Sequence, residues 1–139
     1  MSDLFSSLGI SGSGMTAERL RMDVIAENLA NADTTRTSAG GPYRRKEVAL
    51  EAKGGSGSFA DVLGGVQVAG VVDDPTPDRR VYEPGHPDAD AQGFVTLPNV
   101  EPVTEMVDLI TASRGYEADV QAMNTAKSMF SKALDVLRS

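Results

Sequence analysis

The chain has no cysteine, no tryptophan and a single histidine, His86. Without cysteine, neither a disulfide framework nor a thiolate zinc site can form. Aromatic residues make up only 5% of the sequence, which is thin for a dense enzyme core. Bases are outnumbered by acids, 13 to 20, for a net charge of −7. No basic stripe interrupts that balance, which argues against nucleic acid as a partner. The one basic cluster, Arg44-Arg45-Lys46, is followed closely by Glu47 and Glu51. Long apolar runs are missing as well. The longest uncharged one, Val62 to Val72, has eleven residues of which three are glycine, so no lipid-spanning segment is expected. Met1-Ser2-Asp3 opens on an acid, and Gly9, Gly12 and Gly14 interrupt what would be an apolar core, so no cleaved signal peptide is expected either.

What is present is helical periodicity at both ends. Leu109, Tyr116, Met123, Phe130 and Leu137 recur every seventh residue, with Met106, Val120 and Leu134 beside them and Ala112, Ala126 and Ala133 forming a row of small side chains. That pattern predicts a helix over 103–137 with a bulky seam and space for a partner helix to approach closely. Its acids, Glu101, Glu105, Asp108, Glu117 and Asp119, lie in the first half, and Lys127, Lys132 and Arg138 lie in the second, offsetting the macrodipole at both ends. A second helix is predicted over 3–30. Leu8, Met15, Met22 and Leu29 are spaced by sevens, with Leu4 and Ile25 beside them, while Ile10, Ala17, Leu20 and Val24 lie on nearly the opposite side. A helix apolar on two sides is wedged between neighbours. Ser11-Gly12-Ser13-Gly14 sits in its path, and each glycine costs about 1 kcal/mol relative to alanine, so its first turns are expected to fray unless packing holds them. Asn28, Asn31, Asp33, Thr34 and Thr35 read as the helix stop and turn, since Asn and Asp tolerate left-handed backbone.

The middle cannot be long helix, because residues 40–98 hold ten of the fourteen glycines and six of the seven prolines. Short strands are predicted at Tyr43–Leu50, Val66–Val72, Arg80–Tyr82 and Phe94–Leu97, with Lys53–Ser58 as a linker. His86 could be paired with Asp88 or Asp90 for acid–base work, but no nucleophile or second histidine accompanies it, and Pro84-Gly85-His86-Pro87 reads as a turn. Asp88-Ala89-Asp90-Ala91-Gln92-Gly93 starts like a calcium loop. Its twelfth position is Asn99 rather than a bidentate glutamate, and flanking helices are missing, so a turn capped by Asp side chains is expected. No catalytic residue, cofactor or metal is called for.

The two ends carry a resemblance. Ile10 to Thr35, running through Met15-Thr16-Ala17-Glu18-Arg19-Leu20 and Ala26-Glu27-Asn28-Leu29-Ala30-Asn31, resembles the N-terminal signature of bacterial flagellar rod and hook proteins. Gly41-Pro42-Tyr43-Arg44-Arg45-Lys46, Asp74-Pro75-Thr76-Pro77, Val81 to Asp90, Pro98-Asn99-Val100 and Glu105 to Asp119 are similar to the proximal-rod branch of that family. Asp33 and Asp119 stand where the family commonly has asparagine. The resemblance implies a mainly α fold with long N- and C-terminal helices paired as a coiled coil and a Gly/Pro-rich β insert between them. The divisions are 1–35, 36–100 and 101–139. It implies a non-enzymatic subunit polymerising through its terminal helices into the rod, in the basal body, crossing the periplasm and carrying torque from the membrane ring to the distal rod and hook. The packing residues are then Leu8, Met15, Met22, Ile25 and Leu29 on the first helix, and the seam and small row of the second. Implied partners are further copies, other proximal and distal rod subunits, the rod-to-membrane-ring adaptor and the flagellar type III export apparatus. Export without a cleaved signal follows, with an apolar N-terminal signal; Phe59–Leu63 is similar to the Phe-x-x-x-apolar motif of flagellar export substrates and reads as a second recognition point or, equally, as a packing anchor at Phe59. The rival reading is a soluble helical adaptor or export chaperone, which would not need Gly12, Gly14 or the turn-rich middle.

Overall fold

Two long helices frame the chain in a computed structural model that describes residues 2–53 and 64–138. Helix α1 spans Ser2–Ala30 and α2 spans Pro102–Arg138, 29 and 37 residues, or roughly 44 and 55 Å at 1.5 Å per residue. Helix α2 starts on Pro102, where a missing N–H leaves nothing unsatisfied, and its first turn closes with the Glu105 N–H on the Glu101 carbonyl at 3.0 Å. The glycines at 9, 12 and 14 do not interrupt α1. It ends without the left-handed residue expected of its Asn-rich stop, since only glycines take positive φ among the described residues. Instead the Asn31 N–H is shared between the carbonyls of Glu27 and Asn28, the Asn31 side chain donates to the Glu27 carbonyl at 2.9 Å, and the Thr34 hydroxyl donates back to Asn31. Side chains therefore satisfy the orphaned helix end.

Between the helices lie two separate two-stranded antiparallel sheets. Strand β1 (Lys46–Ala52) pairs with β2 (Val66–Asp73), slipping register between Ala49 and Leu50, and β3 (Arg79–Tyr82) pairs with β4 (Phe94–Leu97). Strand β1 begins three residues later than predicted, because the Tyr43 N–H donates to the Thr34 carbonyl and the Arg45 N–H to Asn99 Oδ1 instead of to a neighbouring strand. The expected linker after Lys53 and the export segment Phe59–Leu63 lie outside the described residues. A two-stranded sheet is marginal alone, and both strands of the first one lean on α1. There the Val66 N–H donates to the Ser13 hydroxyl at 3.1 Å.

The two helices run antiparallel. Gly12 lies opposite Met123, Gly14 opposite Asp119, and Gly115 opposite Glu18, while Asn28 meets Glu105 near the far end. With α2 on one side and the β1–β2 hairpin on another, α1 is wedged as its two apolar stripes require. The core sits at one end of this pair. Buried apolar residues are Val24, Ile25 and Ala32 from α1 and its turn, Tyr43, Val95 and Val100 from the middle, and Ala17 and Ala112 further along the helices. Val95 and Val100, 1% and 0% exposed, each contribute about 1.5–3 kcal/mol by burial. Beyond Ala112 no described side chain of α2 is buried, so the helix pair is anchored at its base and thin along its arms.

Two glycine substitutions test this packing with opposite signs. A Cβ at Gly9 meets nothing within 4 Å, so Gly9→Ala should stabilise the chain by about 0.5–1 kcal/mol through helix propensity. Gly65 holds φ at +85° and its Cβ would collide with the Ser13 hydroxyl, so Gly65→Ala should lose at least about 1–2 kcal/mol. Chemical denaturation of both variants checks the pair; equal midpoints would contradict the packing described.

Candidate functional site

Where the helices meet the middle of the chain, two polar side chains are fully buried: Asn28 at 1% and Glu105 at 0% exposure. Asn28 follows Val24 and Ile25 on the buried side of α1, so helical spacing carries it into the core. There it uses all of its hydrogen-bonding capacity. Its Nδ2 donates to Glu105 Oε2 at 3.1 Å and to the Lys46 carbonyl at 2.9 Å, while its Oδ1 accepts from the Tyr43 hydroxyl at 3.0 Å and the Lys46 N–H at 2.9 Å. Glu105 stands seven residues before Ala112, at the head of the small row of α2. Its other oxygen, Oε1, accepts from Arg45 Nε.

Arg45 extends the knot to the turn that follows β2. Its Nη1 pairs with Asp74 at 3.1 Å and with Glu47, and Nη2 lies 3.7 Å from Asp108 on α2. Burial opposes the Arg45 charge, but hydrogen bonds to Glu105 and Glu47 outweigh it and raise its pKa further. The backbone joins in. The Arg45 N–H donates to Asn99 Oδ1 at 2.8 Å, and Asn99 Nδ2 donates to the Asp74 and Thr76 carbonyls and to the Thr76 hydroxyl. The Thr76 amide and hydroxyl, with Arg45 after them, hold the Asp74 carboxyl below its usual range. Burial pushes the Tyr43 hydroxyl up, and the Glu27 carboxylate raises Lys46. The outer Lys46–Glu27 pair is half in solvent and counts for about 0–1 kcal/mol. The buried members decide the energetics, because a partner removed from a buried ionic pair leaves an uncompensated charge.

The helix seam above the knot is less well satisfied. Glu18 and Asp119 each sit against a glycine of the opposite helix, and Glu18 Oε2 is buried without a hydrogen-bond partner. Of the residues expected to pack helix on helix, Ile25 and Ala112 are buried, while Leu8, Met15, Met22 and Leu29 on α1 are half-buried. On α2, Leu109, Tyr116, Val120, Met123, Ala126 and Phe130 are half-buried too. Met106 and Leu134 remain 55% and 42% exposed, and Ala133 is exposed. The side chain of Leu137 lies outside the described residues.

The other candidates resolve into turns. His86 Nδ1 accepts the Asp88 N–H at 3.1 Å. Asp88 accepts from the Thr35 hydroxyl at 2.8 Å and pairs with Arg36 at 2.9 Å. Asp90 accepts the Phe94 and Gln92 N–H groups, which together with Arg80 hold its pKa down. Among the described residues no group of three or more His, Asp or Glu could hold a metal ion, and no helix is long and apolar enough to cross a membrane. Asn99, the twelfth position of the would-be calcium loop, belongs to the knot instead. The signal for the knot was a charged residue heading a row of alanines and an amide on a buried stripe; charge bookkeeping along α2 placed Glu105 with the macrodipole acids instead.

The arrangement gives fixed hydrogen bonds between segments far apart in sequence, which is the chemistry of a structural joint. Comparison with known proteins places it in a class. A family model described as "Flagella basal body rod protein" matches residues 8–36, and one described as "Flagellar basal body rod FlgEFG protein C-terminal" matches residues 91–136. Asn28 falls in the first match and Glu105 in the second. The chain is 46% identical over 147 residues to the flagellar basal-body rod protein FlgC of Bacillus subtilis, covering 95% of this chain and 97% of the relative. It is 47% identical to the FlgC of Escherichia coli O6:H1 (94% and 96% covered) and 45% identical to that of Borreliella burgdorferi (97% and 98% covered). The chain belongs to the FlgC-type family of flagellar basal-body rod proteins, as a structural subunit of the rod in the basal body.

Loss of one buried partner should be costly here. Glu105→Gln removes the charge opposite Arg45 and should destabilise the chain by about 2–4 kcal/mol, whereas Glu27→Gln, on the exposed pair, should cost under about 1 kcal/mol. A carboxyl held below its ordinary range adds stability above about pH 4 and gives it up as pH falls through its folded-state pKa. Stability should therefore drop below about pH 4, less steeply in Asp74→Asn than in the parent. Denaturation midpoints between pH 2.5 and 7 measure both; a parent and an Asp74→Asn variant with parallel acid limbs would remove Asp74 from the argument.

Proposed function

We propose that this rod subunit polymerises through its paired terminal helices into the proximal part of the rod, and carries torque from the membrane ring toward the distal rod and hook. The observation that carries this reading is one side of α2. Val103, Met106, Val107 and Ile110 are 68%, 55%, 56% and 55% exposed, spaced as one helical stripe, and α1 packs elsewhere on the helix. A charged helix face would suit solvent; four apolar side chains in a row suit a neighbour. Leu134 and Val136 are also exposed, further toward the C-terminus.

In this reading the seam residues from Leu8 to Leu29 and from Met106 to Leu137 serve two contacts, a coiled coil within the chain and packing between chains. A patch on one copy meeting a different patch on the next does not close on itself and generates a helical assembly. The segments 1–35 and 101–139 then form the tube and 36–100 decorates it. The neighbours are further copies, other proximal and distal rod subunits and the rod-to-membrane-ring adaptor. The rod crosses the periplasm, and subunits reach it through the type III export apparatus without a cleaved signal. The rival, an adaptor or export chaperone, finds no support in relatives that are named as rod proteins over nearly their full length.

The test uses charge on the exposed stripe. Val107→Asp and Ile110→Asp change surface positions, so each should alter monomer stability by no more than about 0.5 kcal/mol. Both should leave secretion into the periplasm intact yet abolish rods and motility. Motile cells with normal basal bodies would show that this side of α2 faces solvent in the assembly.

A further inference from the structure

With cysteine absent, every sulfur in the chain is a methionine thioether. Five methionines have described side chains, and they divide sharply. Met15, Met22 and Met123 are half-buried along the helix pair, while Met106 and Met129 are 55% and 59% exposed. The two exposed ones have different surroundings. Met129 has exposed Thr125, Lys132 and Ala133 within a turn of it. Met106 stands in the middle of the apolar stripe with Val103, Val107 and Ile110. Its direction is also fixed, because the preceding residue, Glu105, is tied to Asn28 and Arg45. The helix cannot turn Met106 inward without pulling that carboxylate out of the knot.

We infer that Met106 is an oxidation site whose co-substrate is a peroxide, and that its oxidation switches the stripe from associating to non-associating. This rests on the assembly reading given above. The thioether sulfur attacks one peroxide oxygen and the O–O bond breaks. A sulfur–oxygen bond forms as sulfur gives up two electrons; the other oxygen of hydrogen peroxide leaves as hydroxide and takes the proton carried by the transferred oxygen, giving sulfoxide and water. The product replaces a flexible apolar group with a polar, chiral one at the centre of the contact, and sulfoxide reductases reverse it. The sulfur is open only in the unassembled subunit, since the contact that uses the stripe covers it.

Purified full-length chain, Met106→Leu and Met129→Leu are treated with hydrogen peroxide, mapped by peptide mass spectrometry and followed by sedimentation velocity and circular dichroism. Leucine keeps the volume and cannot be oxidised. Met106 and Met129 should gain oxygen at least threefold faster than Met15, Met22 and Met123. Oxidised parent should associate at least tenfold more weakly with helicity unchanged, and a sulfoxide reductase should restore it. Met106→Leu should keep its association after the same treatment, and Met129→Leu should lose it as the parent does. The inference is overturned if Met106 reacts no faster than the three half-buried methionines, or if Met106→Leu loses association as the parent does. Untreated chain that never associates would refute the assembly reading and the switch with it. The oxidation map, read on monomers, decides the site by itself.

Discussion

The carboxylate of Glu105 has no exposed surface, and an ionised group in that position must have its charge and its lone pairs met within the protein. One oxygen takes the Arg45 guanidinium and the other takes the Asn28 amide. Those two partners come from different parts of the chain, and each brings further bonds: Arg45 brings Asp74 and Asn99, and Asn28 brings Tyr43 and the Lys46 backbone. The result is a single satisfied network joining α1, the start of β1, the turn after β2 and the first turn of α2. A buried ionic network of this type adds less net stability than an apolar one of equal volume could, but its directional bonds tie named residues of the four segments to one another. It fixes which residue of one helix faces which of the other.

Above that joint the helices are held more loosely. Glycines face carboxylates across the seam, and one Glu18 oxygen has no partner, a cost of about 1–3 kcal/mol. A long helix with half-buried arms and an apolar outer stripe gains stability by packing against something else. The joint gives each subunit a defined base, and the thin arms leave helical surface for neighbours. In a rod subunit this divides the work: directional bonds set the base, and apolar helical surface runs along the arms.

Much of this fold was legible in the residues themselves. Sevenfold spacing located both helices to within a residue or two, and glycine and proline counts ruled long helix out of the middle. Short segments between turn clusters placed all four strands, with the start of β1 three residues early. The joint was harder to see because its partners are set by tertiary structure: Asn28 and Glu105 are 77 residues apart. Local rules assigned each a local job, a helix stop for Asn28 and a macrodipole acid for Glu105. The row Glu105-Ala112-Asp119-Ala126-Ala133 did hold the clue, since an acid among alanines at a core-facing spacing needs a buried partner. The lone basic cluster at 44–46 supplied one. Asp88 and Asp90 were legible as polar turn residues, and Asn99 only as a mismatch to a calcium loop; their partners, on Thr35, Arg36, Arg80 and Arg45, were not.

Native-state hydrogen exchange of the monomeric chain tests most directly whether the joint, rather than the helix seam, holds the structure together. Exchange protection reports the local cost of opening. The Lys46 amide, which donates to Asn28, the Arg45 amide, which donates to Asn99, and the amides of residues 25–28 and 105–109 should be the slowest in the chain and should exchange together. Amides of α2 beyond residue 120 should exchange faster by at least about tenfold, equivalent to roughly 1.4 kcal/mol of lower opening free energy. Equal or slower exchange along residues 120–135 would contradict the account and place the main source of stability in the apolar seam.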